Sequence, residues 1–469
     1  MADEELCWME ASELAPAIRK RKVSPVEVVD AVLERIEKLG RLNAYVTVDA
    51  EGARKAARAA ERALGKRGAR LGPLHGVPFS VKDLVITRGV RTTFGTPLYK
   101  DNVPTEDAPM VERLKAAGGI MLGKTNTPAF GWIGITDNLL FGLTRNPWNL
   151  DRTPGGSSGG AGAAVAAGLA PLAIGTDGGG SIRKPSSFTG TFGLKPSYGR
   201  IPTYHASGAW RLSHICTMPR TVRDAALMLN VCAGPDERDP YSLPAARVDY
   251  VKTLRGRLEG LRVAYSDTLG YAPAVDPEVR EATAKATRVF RDFGCRLEHV
   301  NPGWPSPWEC WRTIFFGGIA TRLAPYLDRR AEIDPGLLPI IEEALRYPPA
   351  KYVQAWFDRL AWWQHARAFF EKYDLLLTPT VACPAFGVGR PFPDEIGGTP
   401  VTREAASVFT FPFNMTGQPA ASVPCGFTQD GLPIGLQIVG RRFDDVTVLR
   451  ASAAFEAARP WARKLPPLA

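Results

Sequence analysis

The sequence predicts an α/β protein with a central mixed β-sheet flanked by α-helices. From residue 71 onward, short apolar segments alternate with helical periods. Glycine clusters punctuate those segments as turns. With 469 residues, 45% hydrophobic and 23% charged, the chain has globular composition and ample apolar material for a large core, which excludes a disordered or fibrous protein.

The elements follow in order. Ser24-Pro25-Val26-Glu27 starts a helix, with Ser as N-cap, Pro at the first helical position and Glu at the third. Val28, Val29, Val32, Leu33 and Ile36 recur at helical spacing, and Gly40 is expected to end the run. A further helix runs from about Glu51 to Leu64. Val77–Val81 and Gly119–Leu122 read as strands, with a helix over Ala108–Ala117 between them. Residues 161–174 give a small-residue helix and then a strand aimed at a glycine cluster. Val222–Leu229 is a helix capped by Thr221, and Arg262–Tyr265 a strand.

Residues 301–390 hold six of the eleven tryptophans, most of them on helices expected at Trp308–Leu327, Gly336–Tyr347 and Lys351–Lys372. Their spacing fits an aromatic cap over a pocket and a plain helix–helix core equally well. Strand Asp374–Thr378 follows, and a last helix starts at about Asp445. The expectation is one domain in four stretches: N-terminal helices 1–65, a catalytic core 71–235, a helical substrate cap 240–370, and residues 374–469 completing the core.

The net charge is +10, but no block of five or six like charges occurs, so a solvated basic surface is expected and no nucleic-acid partner. The densest cluster, Arg19-Lys20-Arg21-Lys22, falls at a helix end, where cations are favoured. Seven cysteines with no Cys-x-x-Cys pair suggest buried free thiols rather than zinc sites or disulfides. The acidic N-terminus lacks an apolar signal core, and no apolar run approaches the roughly 18 residues of a membrane span. A cytoplasmic protein with no membrane partner is expected; a homodimer is compatible with the sequence.

Two familiar signatures match literally and fail on context. Gly118 to Thr125 fits the phosphate-loop pattern, but Ile120-Met121-Leu122 lies inside the supposed loop and reads as a strand. Gly155-Gly156-Ser157-Ser158-Gly159 fits a nucleophile elbow, but residues 145–154 upstream read as loop, not strand. Of the downstream histidines, His205, His214, His299 and His365, none has a suggestive setting for a triad.

A lysine base fits better. A serine hydroxyl needs a nearby base, and a lysine can serve if burial disfavours its charged form. Lys82 follows the apolar run Val77-Pro78-Phe79 and is expected at a buried strand end. Gly178-Gly179-Gly180-Ser181 offers consecutive backbone N–H groups that can bind an oxyanion.

Taken together, these residues resemble the amidase signature family. The likeness is dense over residues 71–203, in Gly76-Val77-Pro78-Phe79-Ser80-Val81-Lys82-Asp83, Gly123-Lys124-Thr125-Asn126, Arg145-Asn146-Pro147-Trp148, the two serine–glycine clusters and Gly193-Leu194-Lys195-Pro196. It returns in Asp374 to Thr380 and in Asn414 to Ala420. The resemblance implies the amidase signature fold and a triad of Lys82, Ser157 and Ser181, with a cis peptide between Gly156 and Ser157. It implies that Ser181 attacks the carbonyl, Ser157 relays protons to and from Lys82, and the N–H groups of Gly178, Gly179, Gly180 and Ser181 hold the oxyanion. Ser158, Asp177 and Arg183 are expected to orient the loops. No metal or organic cofactor is called for.

One departure narrows the substrate. Where the glutamine-hydrolysing component of tRNA-dependent amidotransferases carries an aspartate for the α-amino group, this chain has Ser407. The arginine for the α-carboxylate also lacks a convincing counterpart between residues 310 and 350. Gly131, Trp132, Ile135 and Phe141 are expected to line the pocket with apolar surface. The expected substrate is a small hydrophobic or aromatic amide, with anilides, nylon-type oligomers and aryl carbamates all open. The alternative is the glutaminase component of a tRNA-dependent amidotransferase.

Overall fold

In the computed structural model, which describes residues 3–66, 68–204 and 209–468, the apolar segments pair into two mixed sheets and a short ribbon. The strands are β1 (Tyr45–Val48), β2 (Pro78–Lys82), β3 (Ile120–Thr125), β4 (Leu172–Asp177), β5 (Gly193–Lys195), β6 (His214–Thr217), β7 (Arg262–Tyr265), β8 (Arg296–His299), β9 (Leu375–Pro379), β10 (Glu395–Ile396), β11 (Thr399–Pro400), β12 (Ala420–Phe427) and β13 (Pro433–Gly440). The first sheet has the order β1-β3-β2-β4-β6 and the second β5-β12-β13-β9-β7-β8.

The expected single sheet is thus divided. Edge strands β5 and β6 lie side by side, but the space between them is taken by side chains. Lys195, fully buried, donates to the carbonyl of Gln418 and sits 3.3 Å from His214 Nε2.

Strands β2, β3 and β4 are mutually parallel where they pair, with Val81 opposite both Lys124 and Ile174. Such strands need both faces covered, and every residue of β2 and β3 is buried. Parallel alignment also brings the carboxyl ends of β2 and β4, Lys82 and Asp177, to one edge. The small-residue helix Gly159–Ala166 is buried along its whole length and packs against β4 and the helix Arg183–Thr189. Its side chains are short enough for this close approach.

Local signals largely decide the remaining helices. Ser24 and Glu27 form a reciprocal capping box at Pro25–Lys38, which stabilises the helix by about 1 kcal/mol. Thr221 accepts from Asp224 N–H at the start of Val222–Cys232. The helix Pro25–Lys38 stops where Gly40 was expected to end it, with Leu39 as C-cap, but Gly40 does not take the left-handed turn; Asn43 does, after a short 3₁₀ segment.

Residues 240–370 are not wholly a helical cap, because β7 and β8 within them extend the second sheet. The first cap helix is Trp308–Leu323, shorter than expected, since Pro325 lies in a 3₁₀ run that follows it. Leu338–Leu345 and Pro349–Lys372 complete the group. The tryptophans divide between two settings. Trp304 and Trp362 pack edge to face at 5.2 Å in the core, whereas Trp308 and Trp311 stack at 5.4 Å beside a cavity.

Candidate active site

Lys82 ends β2 fully buried, and its amine has three hydroxyl neighbours: Ser157 Oγ at 2.7 Å, Ser158 Oγ at 2.8 Å and Thr176 Oγ1 at 3.0 Å. Burial pushes this lysine well below its ordinary range; the Asp177 charge opposes the shift and Lys184 adds to it. A neutral amine has two N–H donors and one lone pair, so one neighbouring hydroxyl must donate to it. Ser158 Oγ donates instead to the Thr176 carbonyl at 3.1 Å. That leaves Ser157 and Thr176 as the hydroxyls able to give a proton to Lys82. Thr176 was not singled out by the sequence; its place opposite Lys82 comes from the parallel pairing of β2 and β4.

Ser157 lies in the loop before helix Gly159–Ala166, and the Gly156–Ser157 peptide is cis. No strand precedes it, consistent with rejecting the elbow. A Cβ on Gly156 would stand 2.1 Å from the Ile135 carbonyl oxygen, so only glycine fits between the two backbones.

Asp177 and Arg183 organise the second serine loop. Asp177 accepts from Gly180 N–H at 2.7 Å and Ile182 N–H at 3.1 Å, closing a turn around Ser181. Burial disfavours its charge, but the Arg183 charge and hydrogen bonds outweigh that and hold the carboxyl below the usual range. The expected set of four oxyanion donors therefore needs correction: the Gly180 N–H is committed to Asp177. Gly178, Gly179 and Ser181 remain. Trp311 Nε1 donates to the Gly178 carbonyl at 2.9 Å, and Lys184 N–H to that of Gly180 at 2.7 Å. In a planar trans peptide the N–H opposes the C=O, so these bonds aim the N–H groups of Gly179 and Ser181 the other way. Ser158 N–H donates to the Ser181 carbonyl at 3.2 Å, tying the two serine loops together. No direct bond joins the Ser157 and Ser181 hydroxyls among the described residues, but both line one cavity.

Two cavities meet at Ser181. Gly131 and Ser181 line both, whereas Ser157 lines only the second, together with Thr176 and Ile215. The first is walled by Trp132, Trp308, Trp311 and Phe315, and also holds Lys184, Arg403 and Ser407. Two expected pocket residues lie elsewhere. Ile135 is buried behind Gly156, and Phe141 packs under the Arg91 guanidinium at 5.4 Å while its carbonyl accepts from Asn43. Both are near the serine loops in sequence, but the chain turns their side chains off the cavity walls. Arg403 and Thr410, whose hydroxyl donates to the Gly179 carbonyl at 2.8 Å, were missed because only tertiary packing brings them to the Ser181 loop. Lys184 was missed although it lies three residues after Ser181, since nothing local shows that its side chain turns into the cavity; Trp311 falls on the pocket side of the alternatives left open for the tryptophans.

The lysine of the phosphate-loop match is also accounted for. Lys124 is buried on β3 and donates to the Val85 carbonyl and to the hydroxyls of Thr87 and Thr92. Of the histidines, His205 lies outside the described residues, His214 faces Lys195, and His299 and His365 are exposed. All seven cysteines are free. Among the described residues no group of three or more His, Cys, Asp or Glu side chains is placed to hold a metal, and no helix is long and apolar enough to cross a membrane.

Comparison with known proteins gives consistent results. A family model described as Amidase matches residues 27–449. An acylamidase of Rhodococcus erythropolis is 42% identical over 472 residues, 99% of this chain and 98% of that protein. A glutamyl-tRNA(Gln) amidotransferase chain of Moorella thermoacetica is 38% identical, over 99% of each chain. A solved bacterial aryl acylamidase superposes with a TM-score of 0.92 at 34% identity, over 97% of each chain.

Proposed function

This chain belongs to the amidase signature family and is a hydrolase of carbon–nitrogen bonds in amides, and we propose that it works through an acyl-enzyme on Ser181. The observation that carries this reading is the amine of Lys82, buried, depressed in basicity and 2.7 Å from Ser157 Oγ. Lys82 takes the Ser157 proton, Ser157 takes that of Ser181, and the Ser181 oxygen attacks the amide carbonyl. The carbonyl oxygen becomes an oxyanion facing the N–H groups of Gly179 and Ser181, with Gly178 adjacent. Ser157 returns its proton to the amine nitrogen as the C–N bond breaks, and Lys82 reprotonates Ser157. Water then enters by the same relay and releases the acid.

Acylamidase chemistry on small amides is favoured over glutamine hydrolysis, although amidotransferase relatives align along the full chain. Lys184 Nζ lies 2.8 Å from Ser407 Oγ. A glutamine α-ammonium beside Ser407 would meet like charge, where the glutamine-hydrolysing enzymes offer an aspartate. The aromatic walls of the first cavity support hydrophobic or aromatic substrates, including anilides and carbamates, whose carbonyls present the same reacting atoms.

The test is p-nitroanilide hydrolysis by the purified chain. Ser181→Ala is expected to abolish it, and Ser157→Ala or Lys82→Ala to lower kcat at least about a thousandfold. Substantial activity in Ser181→Ala overturns the assignment.

A further inference from the structure

The first cavity carries two cationic side chains and no carboxylate on its wall. Lys184 leaves the helix Arg183–Thr189 and is only 7% exposed. Its one hydrogen bond from Nζ among the described residues goes to Ser407, and an ammonium has three donors. The head group is seated where Gly134 has no side chain: a Cβ there would lie 2.5 Å from Nζ. Arg403 sits with its guanidinium carbon 4.5 Å from the centre of the Trp132 ring and 5.5 Å from that of Phe316, with no ion pair to any described carboxylate. A buried, partly unpartnered cation is costly unless a ligand completes it. Solvation alone does not explain a second cation held on aromatic faces beside it.

The geometry also says which part of a substrate reaches this cavity. The leaving nitrogen must come to the group that protonates it. With Ser157 read as that donor, a reading on which this proposal depends, the amine occupies the second cavity, which Ser157 lines. The acyl chain then occupies the first. We propose that this protein prefers amides whose acyl part bears a carboxylate, the monoamides of dicarboxylic acids, held by Lys184 and Arg403. Charge-assisted bonds from an ammonium and a planar guanidinium suit a carboxylate better than any neutral group. The aromatic walls take the methylene or aryl spacer between carboxylate and scissile carbonyl.

The experiment compares succinyl, glutaryl and adipoyl p-nitroanilides with neutral acyl p-nitroanilides of matched length, at pH 7 in low salt. For at least one length the anionic substrate is expected to exceed its neutral partner tenfold or more in kcat/KM. That ratio is expected to fall at least tenfold in Lys184→Met and in Arg403→Gln. Equal or better turnover of the neutral partner at all three lengths in the unmodified protein overturns the proposal, as does a ratio that neither substitution moves. Should both variants fail to fold, the unmodified protein's ratios still decide. Ser181→Ala separates the two readings: activity there overturns the acyl-enzyme assignment, whereas its inactivity alongside a neutral preference overturns the carboxylate proposal alone.

Discussion

Arg183 and Asp177 form an ion pair from which solvent is fully excluded, Nη2 to Oδ1 at 2.8 Å. All five guanidinium donors are engaged: Nε and Nη2 with Asp177, Nη1 with the Thr410 carbonyl and Gln437, Nη2 also with Asn414. The pair ties the Ser181 loop to β13, which carries Gln437, and to the segment holding Thr410 and Asn414. Removing Arg183 leaves the carboxylate buried without its cation. Arg183→Ala is expected to lose about 3–5 kcal/mol of stability by denaturant titration. Arg183→Lys should recover little of it, because an ammonium cannot reproduce the planar fork.

Activity should fall as pH drops. Lys82 is depressed below its ordinary value near 10.5, chiefly by burial, and accepts a proton only when neutral. A depressed lysine contributes stability that is complete above its unfolded value and lost as pH falls toward its folded one, so acid weakens fold and catalysis in the same direction. Lys184, itself pushed down to about 8 by burial, contributes to holding Lys82 down. Lys184→Met should therefore move the acid limb of the kcat/KM profile to higher pH. Full activity down to about pH 5 in the unmodified protein contradicts a lysine base.

Trp311 aims the oxyanion loop through one bond, Nε1–H to the Gly178 carbonyl. Trp311→Phe keeps most of the ring, which stacks on Phe315 at 4.5 Å, and deletes that donor. A loss of about 1 kcal/mol in transition-state stabilisation is expected, roughly fivefold and mainly in kcat. A change confined to KM assigns Trp311 to substrate contact alone.

Gly156→Ala places a methyl 2.1 Å from the Ile135 carbonyl oxygen, and backbone cannot swing aside as a side-chain tip can. Destabilisation of about 1–3 kcal/mol is expected, together with loss of turnover. A thermal melt and an anilide assay on the same preparation check both.

Much of the site was legible because its residues cluster in sequence. Lys82 closes an apolar strand, and Ser157 and Ser181 sit in glycine-rich turns on either side of one helix and one strand. Local chemistry marks such positions: Ser24 and Glu27 cap a helix by themselves, and Ile120-Met121-Leu122 declares a strand whatever motif overlaps it. Other features had no local mark. Thr176 reaches Lys82 only because β2 and β4 run parallel. The Gly180 N–H is lost to the oxyanion because Asp177 turns back on its own loop. Ile135 and Phe141 are apolar and close by in sequence, yet direction, not composition, decides what lines a cavity. The sequence alone determined the chemistry available, a lysine, two serines and a row of backbone donors, because those depend on residue type and short spacing. Tertiary structure alone decided which donors stay free, and that Lys184 and Arg403 share one cavity with Ser181, because segments more than 200 residues apart meet there only after the two sheets have packed edge to edge.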